Sequence, residues 1–380
     1  MDLGLSEEQE LLKNFARDFL EKECPEQHVR DMEEDEQGYS PDLWKKMTEQ
    51  GWTGLIVPEE HGGTGMGFID LVILVEEFGR ALVPGPFIPT AVGGAIALLE
   101  AGSAEQQGQY LPKIASGEQI WTLAFTEPTA RFDAEGIELE AKGDGDGDGF
   151  VLNGTKLFIR DAHVTDYMTV VARTKKGANA EDGVTLFIVD SKSPGISFTQ
   201  LKTIAADKQC EVKFENVKVP KANVLGEVDQ GWAPFHRIAR KGTVIESAYL
   251  VGLAQKDFEI SVQYAKDRIQ FGRPIGSFQA IQHKAADMVT DVDGARFIMY
   301  KAAWSVAEDT PEADMDVHMA KAWCSEATRR VVAHGQQIHG GIGFTKEYVI
   351  QLYFRRQKAG ELAWGDADYH RELVAQGLNI

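Results

Sequence analysis

The chain has 380 residues, with 39 lysines and arginines against 59 aspartates and glutamates, for a formal charge of −20. A composition of 43% hydrophobic and 26% charged residues is that of a globular protein and excludes a disordered chain, while the acidity argues against nucleic acid or an anionic membrane surface as partner. Three cysteines, Cys24, Cys210 and Cys324, lie too far apart for a disulfide framework or a zinc pair, which points to a reducing compartment. Any polyanionic ligand of so acidic a chain needs a local cationic pocket.

The opening residues, MDLGLSEEQELLKNF, carry neither a basic n-region nor an apolar h-region. The longest apolar run, Ala91–Leu99, is far short of the ~20 residues that cross a bilayer, so a cytoplasmic protein with no membrane insertion is expected. A first zone, to about Ser116, reads as helical. Ser6 and Gln9 form a capping-box pattern, and Leu12, Phe15, Ala16, Phe19 and Leu20 follow at helical spacing. Further helices are expected over Pro41–Gln50 and Phe68–Ala81, with Gly- and Pro-rich breaks at His61–Gly67 and Val83–Pro89.

A second zone, about Glu118–Val228, reads as short strands: Trp121–Thr126, Gly149–Leu152, Lys156–Arg160, Met168–Arg173, Thr185–Asp190 and Glu211–Val219. Within it Asp144, Asp146 and Asp148 imitate the start of a calcium loop. Position twelve of that loop would be Thr155, which cannot supply a bidentate carboxylate, so a hairpin turn and no metal is the expectation. A third zone from about Gly231 is helical again, with long periodic stretches at Val244–Arg268, Phe278–Ala307 and Asp314–Gln337. The fold class is therefore α+β: an all-α N-terminal domain at 1–117, a middle antiparallel β domain at 118–228 and a C-terminal helical bundle at 229–380.

Four segments stand out on this layout: Thr126-Glu127-Pro128; Leu152-Asn153-Gly154 running on to Lys156, Phe158 and Ile159; Arg268 to Gln279 with Phe271, Gly272 and Pro274; and Gln337 to Tyr348 with Gly340, Gly341 and Gly343. In this order the chain resembles the acyl-CoA dehydrogenases over essentially its whole length. The resemblance implies an FAD-dependent enzyme, usually tetrameric, that removes an α-proton and a β-hydride from an acyl-CoA and passes electrons to an electron-transfer flavoprotein. It also implies that Arg268 and Phe271 contact the FAD of a neighbouring subunit, that Gln337, Gly340 and Gly341 lie along its ADP part, and that Thr126 and Phe158 face the flavin of the subunit's own site. A pyrophosphate needs backbone N–H donors and a cation, and glycine lets the backbone come close.

The departures from the family pattern are informative. Arg131, Phe132 and Asp133 stand where the family has Gly-Ser-Asp, and Phe158 and Arg160 where it has Trp and Thr. The base is also replaced. Most members carry it as Glu in a Tyr-Glu-Gly-Thr motif, where Gly365 stands here; a minority carry it before an Arg early in the third zone, where Gly242-Thr243 stand. Removal of an α-proton needs a carboxylate within hydrogen-bond reach. Two substitutes remain: Asp366, one residue past the lost Glu and otherwise a helix cap, and Glu246, one helical turn after Gly242 and otherwise an ion-paired helix residue. Arg131, Arg160, Arg240 and Lys241 are further candidate cations, with surface charge as the alternative.

What is retained is what a subunit lends to its neighbour's FAD; what is altered serves its own flavin and substrate. The pattern resembles the accessory chains of heteromeric bacterial members, so a homo- or heterotetramer with another acyl-CoA dehydrogenase chain is expected. Two other readings stand beside it: a self-sufficient dehydrogenase with a relocated base and a bulky acyl substrate, and a non-catalytic structural or binding protein on the same fold.

Overall fold

The computed structural model describes residues 4–145 and 147–380. The helices of the first zone are α1 (Glu7–Glu23), α2 (Glu26–Glu34), α3 (Pro41–Glu49), α4 (Phe68–Ala81), α5 (Phe87–Thr90), α6 (Ala97–Ala101) and α7 (Ala104–Ala115), with a π-helical stretch at Ala91–Ile96. The strands are β1 (Trp121–Ala124), β2 (Glu140–Gly143), β3 (Gly149–Arg160), β4 (Tyr167–Arg173), β5 (Val184–Asp190), β6 (Ile196–Leu201), β7 (Gln209–Pro220) and β8 (Val224–Leu225). Then come α8 (Trp232–Asp267), the small hairpin β9 (Ile269–Gln270) and β10 (Arg273–Pro274), α9 (Gln279–Ala307), α10 (Ala313–His339), α11 (Ile350–Leu362) and α12 (Ala367–Gly377). Among the described residues no helix is long and apolar enough to cross a membrane.

By its contacts the chain divides into two compact units. The first holds Met1–Asp31, Phe68–Val83 and Gly242–Ile380; the second holds Met32–Gly67 and Pro84–Lys241. The second unit is built on an eight-stranded sheet of order β6-β7-β3-β2-β4-β5-β8, with β1 paired to β4. Its apolar face packs Leu152, Ile159, Met168, Phe187, Val212 and Phe214. Most pairs are antiparallel, but β1 runs parallel to β4, with Trp121 opposite Tyr167. The chain between β1 and β4 is used up in the β2–β3 hairpin, so β4 comes back alongside β1 in the same direction.

The segments Gly149–Leu152 and Lys156–Arg160, read as two strands, are one strand of 12 residues. Its register with β7 shifts at Leu152/Gly154 and again at Lys156/Ile159, and these two bulges hide its continuity from a period-2 reading. The aspartate-rich run closes the β2–β3 hairpin, where Asp144 accepts from Gly147 N at 3.0 Å; Asp146 lies outside the described residues.

In the first unit the expected capping box is formed: Ser6 Oγ accepts from Gln9 N at 3.2 Å, and Gln9 Oε1 from Ser6 N at 3.1 Å. Helix α4 is buried from Leu71 to Arg80, charged residues included. It can be buried because α8 comes against it through glycine on both sides. A Cβ at Gly79 would lie 2.0 Å from the Tyr249 carbonyl oxygen, and one at Gly252 would lie 1.7 Å from that of Glu76. The buried charges are paired: Glu76 with Arg296 at 3.0 Å and Tyr300 Oη at 2.7 Å, Glu77 with Arg17 at 2.7 Å, and Arg80 with Glu259 at 2.8 Å. Burial alone would raise the Glu76 carboxyl, but Lys13, Arg296 and Tyr300 together hold it below its ordinary value.

Asp257 is handled differently. It is fully buried on α8, with only Ser261 Oγ nearby at 3.5 Å and no partner for Oδ2 among the described residues. It fits because the facing residue on α10 is Gly335, whose Cβ would lie 2.1 Å from Asp257 Oδ1. Burial pushes this carboxyl well above its ordinary value, against a weak opposing effect of Ser261.

Two outcomes follow from these contacts. Gly252→Ala forces the α4 and α8 backbones apart and is expected to lower stability by at least ~1–3 kcal/mol in urea unfolding. Burial keeps the Asp257 carboxyl protonated to higher pH in the folded chain than in the unfolded one, so its contribution to stability is fully present below the unfolded carboxyl value of about 3.9 and is lost as pH rises through the raised folded value. Asp257→Asn cannot ionise. It is expected to melt above the parent protein at pH 8, with the gap narrowing as the pH is lowered to 5.

Candidate functional site

The second unit carries Thr126 and Phe158. Thr126 follows β1 and is stapled to β3 by three bonds. Lys156 Nζ donates to the Phe125 carbonyl at 2.9 Å, Leu157 N donates to the Thr126 carbonyl at 2.9 Å, and Lys156 Nζ meets Glu127 Oε1 at 2.6 Å. Lys156 is 0% exposed, and Glu127 also accepts from the backbone N–H groups of Glu138 and Leu139, each at 3.0 Å. Burial pushes the Lys156 ammonium below its ordinary value, and Glu127 opposes this. The Glu of the Thr126-Glu127-Pro128 motif thus fixes the motif to the sheet; a charged pair whose members lie 29 residues apart, one of them in a loop, gives no sequence signal of burial.

Phe158 sits at the second bulge of β3, with φ +58° and a half-exposed ring (51%). The extra residue turns its side chain out while Ile159 stays in the core. Arg160, two residues on, is half-buried, and its carbonyl accepts from Thr122 Oγ1 at 2.8 Å. Two of the other candidate cations are engaged: Arg131 with Asp133 at 2.7 Å and Glu135 at 2.6 Å, and Lys241 with Glu100. Phe132 is half-buried, its ring 6.4 Å from that of Phe125.

The first unit gathers Arg268, Phe271, Gln337, Gly340 and Gly341 at one end of its helical bundle. The link is a stacked pair: Tyr264 on the last turns of α8 lies 4.3 Å from His339, the last residue of α10. Arg268 follows one turn after Tyr264, its N–H bonded to the Tyr264 carbonyl at 2.8 Å, and Gly340 follows His339 directly. The guanidinium of Arg268 is exposed and has no ion-pair partner among the described residues. Phe271 and Gly272, with φ +54° and +79°, form the two-residue turn of the β9–β10 hairpin. Phe271 is 91% exposed at its tip, its ring 6.0 Å from Phe278. Gln337 is exposed.

Gly340 has φ +61°, which favours glycine, and a Cβ at Gly340 or Gly341 would meet nothing within 4 Å. Open backbone at a glycine pair beside an exposed arginine fits the phosphates of a dinucleotide. The FAD that the resemblance implies therefore has residues of the right chemistry here.

The remaining candidates are also in the first unit. Asp366 is the N-cap of α12, its side chain accepting from Tyr369 N at 2.9 Å. Glu246 is buried on α8, and a Cβ at Gly360 of α11 would lie 2.7 Å from its Oε1. Gly365 has φ +97°.

Replacing Lys156 by Met leaves the Glu127 carboxylate buried without its ammonium, so a loss of ~3–5 kcal/mol in unfolding experiments is expected. The Glu127→Gln/Lys156→Met pair is expected to lose clearly less than the sum of the two single changes.

Models of three parts of one family match nearly the whole chain: acyl-CoA dehydrogenase N-terminal domain at residues 6–118, middle domain at 122–217 and C-terminal domain at 229–379. The chain is 34% identical to the 3-(aryl)acrylate reductase of Clostridium sporogenes over 98% of this chain and 99% of that one. Its fold matches butyryl-CoA dehydrogenase from Megasphaera elsdenii with a TM-score of 0.91 at 28% identity, covering 100% of both chains. It also matches a chain of the ChsE4-ChsE5 complex from Mycobacterium tuberculosis with a TM-score of 0.91 at 29% identity, covering 100% of this chain and 99% of that one. Members of the family so defined are FAD-dependent oxidoreductases, and the chain belongs to the acyl-CoA dehydrogenase family.

Proposed function

We propose that this chain is a cytoplasmic subunit of an FAD-dependent acyl-CoA dehydrogenase that desaturates an acyl-CoA thioester between Cα and Cβ, and that it lends the ADP-side clamp to a neighbouring chain. The observation that carries the reading is the end of the first unit's bundle, where exposed Arg268, projecting Phe271 and the open Gly340–Gly341 backbone lie together with no ion-pair partner for Arg268 among the described residues. Arg268 would meet a phosphate, Gly340 and Gly341 would let backbone N–H groups approach it, and Phe271 and Gln337 would cover the adenosine portion. On the flavin side Thr126 would offer a hydroxyl and Phe158 a ring face. The bound FAD supplies the hydride-accepting ring. The other partners are an electron-transfer flavoprotein and a second acyl-CoA dehydrogenase chain; that ChsE4-ChsE5 is a two-chain complex supports the latter. Within this reading 1–117, 118–228 and 229–380 are the functional domains.

A second reading, a self-sufficient enzyme with a relocated base, draws on Glu246, buried one helical turn from Gly242, and on Asp366. Full activity of both Glu246→Gln and Asp366→Asn would remove it.

The visible spectrum of the purified chain tests the first reading. Alone, the chain is expected to carry well under one flavin per subunit, and to carry flavin with dehydrogenase activity when co-produced with a second chain of the family. Arg268→Ala is expected to lower the flavin content of that complex without unfolding it. A yellow, fully active homotetramer would sink the proposal.

A further inference from the structure

We propose that the Trp364 indole fills the place of the base carboxylate in this chain, so that neither Gly242 nor Gly365 can carry one; the inference rests on the acyl-CoA dehydrogenase reading above. Its basis is a contact between two residues far apart in sequence. An ideal Cβ at Gly242 of α8 would lie 2.5 Å from Cζ2 of Trp364, and 2.9 Å from both Cε2 and Cη2. The obstacle is the edge of a rigid bicyclic ring, not the tip of a flexible chain. No side chain fits at 242 while the indole stays where it is.

The second position is closed by its own backbone. Gly365 has φ +97°, and a Cβ there would lie 2.4 Å from Cδ1 of Tyr369. A glutamate at 365 would need both a strained backbone and a displaced tyrosine. The two absences that the sequence presents as unrelated, at 242 and at 365, thus meet at one short turn.

That turn is held in place. Trp364 has φ +62°, a left-handed conformation that is strained for a non-glycine residue and persists only where the surroundings impose it. Its carbonyl lies 3.0 Å from His370 Nε2. A carbonyl only accepts, so Nε2 carries the proton. Burial first, then Lys321 and His318, keep the His370 ring neutral, with its pKa lowered to about 3. Nδ1 is therefore an acceptor, and the proton between it and His318 Nδ1, 3.1 Å away, belongs to His318. On the other side Asp366 caps α12 and fixes the exit of the turn. The left-handed backbone and its two anchors set the indole against Gly242.

The chemistry follows from the side chain. Taking an α-proton from an acyl-CoA needs a group that can accept it, and the indole N–H is a donor only. At this place the chain presents a wall instead of a base.

Two measurements test the assignment. The first is a thermal double-mutant cycle on the full-length protein with FAD present. Gly242→Ala is expected to lower the melting temperature by roughly 3–10 °C in the parent chain. In the Trp364→Gly background the same change is expected to be neutral or stabilising. Equal losses in both backgrounds would overturn the contact. The second is deuterium uptake at Cα of butyryl-CoA and isobutyryl-CoA in D2O without electron acceptor, followed by mass spectrometry. Gly242→Glu/Trp364→Gly is expected to exchange ~10²-fold faster than the parent chain, whereas Gly242→Glu alone gains nothing. A folded, flavin-binding double variant with no gain would overturn the assignment of this place to the base. If the chain proves self-sufficient but the cycle and the gain both hold, the heteromeric reading falls and the Trp364 wall stands.

Discussion

The first unit depends on how closely α4 and α8 approach each other. Gly79 and Gly252 bring each helix against a backbone carbonyl of the other, and no larger residue fits at either position. At that spacing α4 is buried on every side, so its Glu76, Glu77 and Arg80 must find partners inside the protein. They do, across α1, α8 and α9, through Arg17, Glu259, Arg296 and Tyr300. Charged residues so placed give the packing a direction: an apolar helix could rotate or slide, but one carrying three committed charges has a single register.

With that register set, α8 serves several roles along one continuous helix. Gly242 lies against Trp364, Glu246 against Gly360, Asp257 against Gly335, and Tyr264 against His339. Each contact fixes a neighbouring segment, and the last one places Arg268 and the β9–β10 hairpin beside the glycine pair that follows α10. In the second unit the buried Lys156–Glu127 pair has the corresponding task for the Thr126 segment. In both units the candidate cofactor-binding residues are exposed or half-exposed, while Lys156, Glu127 and His339, which hold their segments, are buried. A site is held in this way when its geometry must survive the absence of its ligand.

Much of this was legible in the chain itself. The Ser6 capping box, α3, α4, the long third-zone helices and the three-zone layout follow from caps and periodicity. The hidden parts have physical causes. Two bulges break the alternation of β3. The burial of Lys156, Glu76 and Glu77 depends on partners in distant segments, which no local pattern marks. The parallel pairing of β1 depends on a return of the chain that no local signal encodes. For the candidate site, the motifs marked Thr126, Arg268, Phe271, Gln337, Gly340 and Gly341, and the alignment of the motifs marked the glycines at 242 and 365. It could not show Trp364 between those two glycines, since a tryptophan in a loop carries no mark of which helix its ring touches.

The β9–β10 hairpin has a thermodynamic consequence. Phe271 holds a left-handed backbone angle in the chain as it stands, with its ring almost wholly in solvent. The unfavourable conformation is therefore charged to folding and is already met before any surface closes over the ring. An encounter with another subunit or a dinucleotide then loses little conformational entropy at this point, since the two turn residues are ordered beforehand. The hairpin acts as a preformed die, and whatever it meets must take its shape.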